Sequence, residues 1–109
     1  MPSDGRIIFV STSVTNLSNI APAYVLYASA KGTIEQMMRI MAKDLARKGI
    51  LVNAVAPGPT TTHLFLQGKS DHILKAVASN SPFNRIGKPE EIAAALIFLC
   101  GKDSSWMSG

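Results

Sequence analysis

The sequence predicts an α/β fold: a parallel β-α-β unit followed by two further helices. Three observations carry this expectation. Residues 6–11 (Arg6-Ile7-Ile8-Phe9-Val10-Ser11) and residues 50–56 are short, apolar and rich in β-branched side chains, as in strands buried on both faces. Between them, residues 24–48 place apolar side chains at helical spacing. The joints are short, so the two strands run parallel through a right-handed crossover.

Each element has its own signals. Gly5 precedes the first strand. Residues 12–23 are rich in Ser, Thr and Asn and contain Pro22, which predicts a loop. In the long helix, Tyr27, Lys31, Ile34, Met38, Met41 and Leu45 alternate spacings of four and three, which is one face. Met37, Met38 and Met41 are read as core or subunit interface. Gly49 stops the helix just after Arg47 and Lys48, whose charges suit its negative end. The second strand ends at Pro57-Gly58-Pro59. Residues 60–68 are expected to form a loop, 69–79 a short helix and 81–88 an irregular stretch. Pro89-Glu90-Glu91 opens the last helix: proline suits its first position and the acids its positive end. It runs through Ile92, Ala95, Leu96 and Leu99 to about Gly101, with Cys100 as a small core residue. Two strands alone leave both sheet edges unpaired, and both chain ends are read as cut.

Composition narrows the function classes. The 109 residues make one domain or part of one, and 47% hydrophobic with 17% charged residues is globular, not disordered. No apolar run reaches membrane-spanning length, so no membrane partner is expected. The start, residues 1–6, resembles neither a signal nor a transit peptide, which points to the cytoplasm. The lone Cys100 cannot form an internal disulfide and fits a reducing compartment. The net charge is +4, but its basic residues are scattered without aromatic interleaving, so the charge reads as a solvated face rather than a nucleic-acid surface. His63 and His72 lack metal-ligand company, so no metal is expected.

Three local features offer chemistry. Tyr27-Ala28-Ser29-Ala30-Lys31 sets a phenol and an ammonium four residues apart on one helix face. A cation beside a phenol favours the phenolate, which suits general acid–base work near neutral pH. Taken alone, the spacing favours a packing tyrosine and a snorkelling lysine. Tyr24 is an internal control, since its i+4 residue is Ala28. Ser13 lies in the loop after the first strand, at the carboxyl edge where open α/β sheets bind ligands. Its hydroxyl could hold a substrate oxygen, although Ser11, Thr12 and Ser13 also suit plain loop hydrogen bonding. Pro57-Gly58-Pro59, with Thr60 and Thr62, turns at the same edge, where Gly58 permits close backbone approach.

Taken together, these features resemble the short-chain dehydrogenase/reductase family in order and spacing. The features are the first strand, Ser13, Tyr27-x-x-x-Lys31, Asn53-x-x-x-Pro57-Gly58 and Thr62. Residues 85–93 (Arg85-Ile86-Gly87-Lys88-Pro89-Glu90-Glu91-Ile92-Ala93) are similar to the family's late-helix signature, and residues 104–109 to the lead into its last strand. Within it, the chain looks like 3-oxoacyl-[acyl-carrier-protein] reductase-like and polyhydroxynaphthalene reductase-like members.

The resemblance implies the C-terminal part of a Rossmann-type doubly wound parallel sheet, and an NAD(P)(H)-dependent oxidoreductase interconverting a ketone and a secondary alcohol. It makes Ser13, Tyr27 and Lys31 the catalytic residues: Tyr27 moves the proton, Lys31 assists it and holds the nicotinamide ribose, and Ser13 orients the substrate oxygen. Tyr27, Lys31, Pro57, Gly58, Thr60 and Thr62 would meet the cofactor, NADP being slightly favoured over NAD. The partners implied are a small carbonyl or alcohol substrate and a second copy of the subunit packed through the long helix.

The family's glycine-rich phosphate loop, the residue selecting NAD or NADP, the Asn-Ala-Gly motif, the catalytic Asn and the last strand have no counterpart in these 109 residues. Residues 1–109 are therefore expected to be a partial NAD(P)-binding domain, inactive alone. The alternative is a non-catalytic remnant that binds a partner subunit through its long helix.

Overall fold

The computed structural model describes residues 3–109; Met1 and Pro2, part of the stretch read for targeting signals, lie outside the described residues. Strand β1 (Arg6–Val10) pairs in parallel with β2 (Leu51–Val55), Ile7 opposite Val52 and Phe9 opposite Ala54. Helix α1 (Val25–Leu45) connects them. Helices α2 (His63–Leu66), α3 (Asp71–Ser79) and α4 (Pro89–Cys100) follow. The β-α-β unit and the parallel pairing are those the sequence predicts. At the joint after α1, a short 3-10 turn, Ala46–Lys48, leads into Gly49 at φ 73°, a left-handed conformation that glycine adopts without steric cost.

The core lies between α1 and the sheet. Met38 and Ala42 of α1 are buried against Ile50 and Val52, with Ile7, Phe9, Met41, Leu45 and Ala54 around them. The face read from helical spacing is thus the packed one from Ile34 to Leu45, while Tyr27, in the first turn, is 47% exposed. Met37 points outward, and only Met38 of the three clustered methionines is buried. Helix α4 also lies against β1 and β2, and its buried Leu99 stands outside the α1 cluster.

Two expectations are corrected. The stretch 60–68 is not all loop: the Thr62 hydroxyl accepts from the Phe65 N–H at 3.2 Å and so caps α2. Cys100 is exposed rather than in the core. Consecutive residues on a helix point about 100° apart, and on α4 Leu99 takes the inward position. The loop 12–23 also gains two 3-10 turns, Ser13–Asn16 and Pro22–Tyr24.

Among the described residues the sheet has two strands, and its β2 edge is partly occupied by residues 107–109. The Gly109 N–H donates to the Val52 carbonyl at 2.8 Å, Ser108 Oγ accepts from the Val52 N–H at 3.1 Å, and Asn53 Nδ2 donates to the Met107 carbonyl at 2.9 Å. Residues 107–109 thus run alongside β2, as their resemblance to a lead into a further strand implies. The radius of gyration is 16.0 Å, against about 13 Å for a compact domain of this length. One core of this size leaves Leu26, Ile97 and Trp106 largely in solvent. Among the described residues, no helix is long and apolar enough to cross a membrane.

Candidate active site

Three segments meet at the carboxyl ends of the strands. The Ser11 N–H extends the parallel ladder to the Val55 carbonyl at 2.7 Å, and the Ser13 N–H donates to the Pro57 carbonyl at 3.0 Å. The turn after β1 is therefore stitched to the turn after β2. Ser13 is half-buried, and a side chain placed at Gly58 would lie in ordinary contact with Ser13 Oγ, at 3.7 Å. Gly58 thus keeps the space in front of that hydroxyl open.

Helix α1 enters the same edge. Tyr27 stands in its first turn, its ring 6.3 Å from the Tyr24 ring and tilted by 57°. One turn on, Lys31 Nζ donates to the Val10 carbonyl at 2.8 Å. The hydrogen bond that Lys31 makes here ties α1 to the end of β1, and it goes to that carbonyl rather than to the Tyr27 phenol. Ser13, Tyr27 and Lys31 are carried by segments that converge on one edge, with Pro57 and Gly58 beside them.

The loop after β2 is held from the far side. Thr60 Oγ1 donates to the Gly58 carbonyl at 2.9 Å, and Thr62 caps α2, so both hydroxyls read as ligand contacts already have partners within the loop. The Gly87 N–H donates to the Pro59 carbonyl at 3.0 Å, and the Gly87 carbonyl accepts from the Thr61 N–H at 2.9 Å. Gly87 is in turn fixed by an ion pair: the two Nη atoms of Arg85 donate to Glu91 at 2.9 and 2.7 Å, and the Lys88 N–H adds a third bond to Glu91 at 2.9 Å.

The Arg85 guanidinium first, and the Lys88 N–H second, hold the Glu91 carboxyl down at about 2, against an ordinary 4.5. Because the folded value is the lower one, the contribution of this pair is present above about pH 4.5 and is lost as pH falls through about 2. Both side chains are exposed, so the pair orders the loop more than it stabilises the fold. We expect Glu91 to titrate near 2 by carboxyl NMR, and Arg85→Met to return it toward 4.5 and speed amide exchange at Thr61.

Two open grooves lie on the described residues, one of them touching the loop after β2 at Thr61. One, of about 310 Å³, is lined by Thr61, Asp71, Leu74, Lys75, Ala78 and Ile86. The other, of about 390 Å³, runs along α1 past Met37, Ile40 and Met41. Neither includes Tyr27 or Lys31, so the convergence of chemistry-bearing residues, not concavity, marks the candidate site. No cluster of metal-ligating side chains occurs among the described residues.

Sequence reasoning missed Glu35 and read Ser11 only as a loop hydroxyl. The Ser11 hydroxyl donates to Glu35 Oε2 at 2.5 Å, joining the end of β1 to α1. The available signal was a carboxylate one turn beyond Lys31, on the edge of an otherwise apolar helix face.

Known proteins resemble this chain in sequence and in backbone. The family model described as Enoyl-(Acyl carrier protein) reductase matches residues 1–109. The chain is 37% identical over 105 residues to the NADPH-dependent aldehyde reductase-like protein, chloroplastic, of Arabidopsis thaliana, covering 96% of this chain and 38% of that protein. It is 34% identical to versicolorin reductase 1 of Aspergillus parasiticus, covering 100% of this chain and 45% of that one. Among solved structures, the angucycline C-6 ketoreductase LanV with bound NADP superposes with a TM-score of 0.87 at 33% identity, over 99% of this chain and 41% of that chain. The promiscuous reductase LugOII, described as catalysing keto-reduction at C1 during lugdunomycin biosynthesis, gives 0.86 at 36% identity, over 99% and 42%. The chain thus spans less than half the length of each of these relatives. Its βαβ unit and flanking helices take the Rossmann-type arrangement of these neighbours. With its full length matched by the family model and its backbone superposing on two such reductases, this chain belongs to the short-chain dehydrogenase/reductase family.

Proposed function

We propose that this chain is the proton-transfer portion of an NAD(P)(H)-dependent oxidoreductase that interconverts a ketone and a secondary alcohol. The observation that carries the reading is the exposed Tyr27 on the first turn of α1, at the edge where Ser13 and Gly58 meet. In carbonyl reduction, Ser13 Oγ donates a hydrogen bond to the substrate oxygen and orients it, and the Tyr27 hydroxyl gives that oxygen its proton. In alcohol oxidation the Tyr27 oxygen takes the proton back. Lys31 places a positive charge one turn from Tyr27 and offers a donor to a ribose hydroxyl once it leaves the Val10 carbonyl.

The residues present fit the nicotinamide end of a dinucleotide. Lys31 and Tyr27 would hold its ribose, and the loop with Pro57, Gly58, Thr60 and Thr62 its carboxamide, through backbone groups more than through the two threonine hydroxyls that the loop already uses. A bound nicotinamide supplies or removes the hydride. Nothing in the sequence offers a strand, glycine-rich turn and helix to hold the diphosphate, so residues 1–109 form a partial cofactor domain that is inactive alone. NADP is favoured over NAD, because one similar structure holds NADP and one relative is named NADPH-dependent.

The partners proposed are a small carbonyl or alcohol substrate and a second copy of the subunit, met along the apolar groove of α1. That same groove favours the second reading, a non-catalytic remnant that docks on a partner through α1.

The test is turnover by the complete protein that joins this chain to a phosphate-binding half. With NADPH or NADH, across a panel of ketones, aldehydes, secondary alcohols and enoyl thioesters, we expect reduction of at least one carbonyl class. A folded protein that turns over nothing in the panel contradicts the enzyme reading and leaves the docking one.

A further inference from the structure

We infer that Glu35 is a positioning residue: its carboxylate ties the turn bearing Ser13 to the helix bearing Tyr27 and Lys31. The inference rests on the functional reading of those three residues and deepens it.

Glu35 lies two helical turns from Tyr27 and one from Lys31, so the three share a face of α1. Its side chain is only 14% exposed. Burying a carboxylate is costly unless hydrogen-bond donors and charges compensate it. Here the compensation comes from the segment after β1. The Ser11 hydroxyl donates to Oε2 at 2.5 Å, and Ser11 itself is 4% exposed. The Thr15 hydroxyl donates to the Thr12 carbonyl at 3.0 Å and, near Glu35, also favours the ionised carboxyl. Arg39 adds a charge at 3.9 Å. The Ser11 hydroxyl first, then that of Thr15, keep the carboxyl below its ordinary range against weak desolvation.

Ser13 lies two residues beyond Ser11, so one side chain of α1 holds the turn on the β1 side of Ser13. The backbone supplies the rest of the tie, through Ser11 to Val55 and Ser13 to Pro57, but those bonds join the turn to β2 and not to α1. Besides Lys31 on the Val10 carbonyl, the Ser11–Glu35 bond is the side-chain link that sets the Ser13 turn against the helix carrying Tyr27. A hydroxyl–carboxylate bond is charge-assisted and directional, which suits it to fix a position. A displacement of about 1 Å between reacting groups costs on the order of a hundredfold in rate.

The experiment uses the complete protein with Glu35→Ala, Glu35→Gln, Ser11→Ala and the double variant Ser11→Ala/Glu35→Ala. We expect kcat to fall roughly 10- to 100-fold in Glu35→Ala and Ser11→Ala, with KM for the dinucleotide little changed. The amide oxygen in Glu35→Gln still accepts from Ser11 and should recover most of kcat. The double variant should be no worse than the more impaired single one. Amide exchange at Ser13 should quicken in Glu35→Ala, while exchange at Ile8 stays as it was. Should Glu35→Ala fail to fold, Ser11→Ala and Glu35→Gln carry the test.

Unchanged kcat with unchanged Ser13 exchange overturns the inference. So does equal impairment of the Gln and Ala variants, or a loss of kcat that follows melting temperature alone. If the unsubstituted protein turns over no carbonyl or alcohol, the functional reading is what fails. Exchange then decides the tie by itself: faster exchange at Ser13 supports it, and unchanged exchange overturns it.

Discussion

Replacing Tyr27 with Phe, in a protein that joins this chain to a phosphate-binding half, should lower kcat by roughly 10²–10⁴-fold, the range for losing a positioned general acid or base. The substitution removes the exchangeable proton and little else. The ring keeps its place beside Tyr24, 6.3 Å away. Tyr27 is 47% exposed, so the fold should be disturbed by no more than about 0.5 kcal/mol. Tyr24→Phe is the matched control: it deletes the neighbouring hydroxyl, whose helix partner one turn on is Ala28 rather than a cation, and should leave kcat near that of the unsubstituted protein. Equal losses in the two variants, or none in either, would remove Tyr27 from its proposed role. Steady-state kinetics with melting temperatures for each variant decide it.

The second large effect is the gap between the chain alone and the joined protein. Hydride transfer needs the nicotinamide held against the substrate carbon, and fixing two reactants in place contributes on the order of 7–11 kcal/mol to a barrier. On the proposed reading, this chain would supply a ribose contact and a carboxamide loop, without a glycine-rich turn and helix N-terminus for the diphosphate. Burial argues the same way. Leu26 next to Tyr27 is 83% exposed, and the molecule is more extended than a domain closed around one core. A flank of the site is therefore open to water, which weakens every hydrogen bond that would align a substrate. We expect turnover by the 109-residue chain at least on the order of 10³-fold below that of the joined protein, measured at equal active concentration.

Much of this architecture is written in local sequence. The strands show as short β-branched runs because both are packed from the faces, and α1 shows because its buried stripe from Ile34 to Leu45 keeps strict helical spacing. Gly49 was legible as a helix stop because a left-handed residue favours glycine. What escaped was tertiary. The turn of α2 is too short to display a period, and its two backbone bonds and the Thr62 cap on the Phe65 N–H show only in the folded chain. Cys100 was assigned to the core from the mean hydropathy of α4, which does not say which side of a helix faces inward. The Ser11–Glu35 bond joins residues 24 apart in sequence, so no local pattern contains it, although a carboxylate beside a buried stripe was a visible irregularity. The candidate site divides in the same way. Tyr27 and Lys31 stand out only when their spacing is read together with the other ordered motifs of the family resemblance, whereas the approach of Ser13 to Gly58 depends on the register of two turns stitched by the bond from Ser13 to Pro57.

The most direct test of the account is calorimetric titration of the folded 109-residue chain with NADPH and with NADH, beside the joined protein under the same conditions. The account predicts saturable binding by the joined protein and none by the chain alone. Saturable binding by the chain alone would contradict it, because Lys31 and the loop after β2 would then hold the dinucleotide without a phosphate-binding turn.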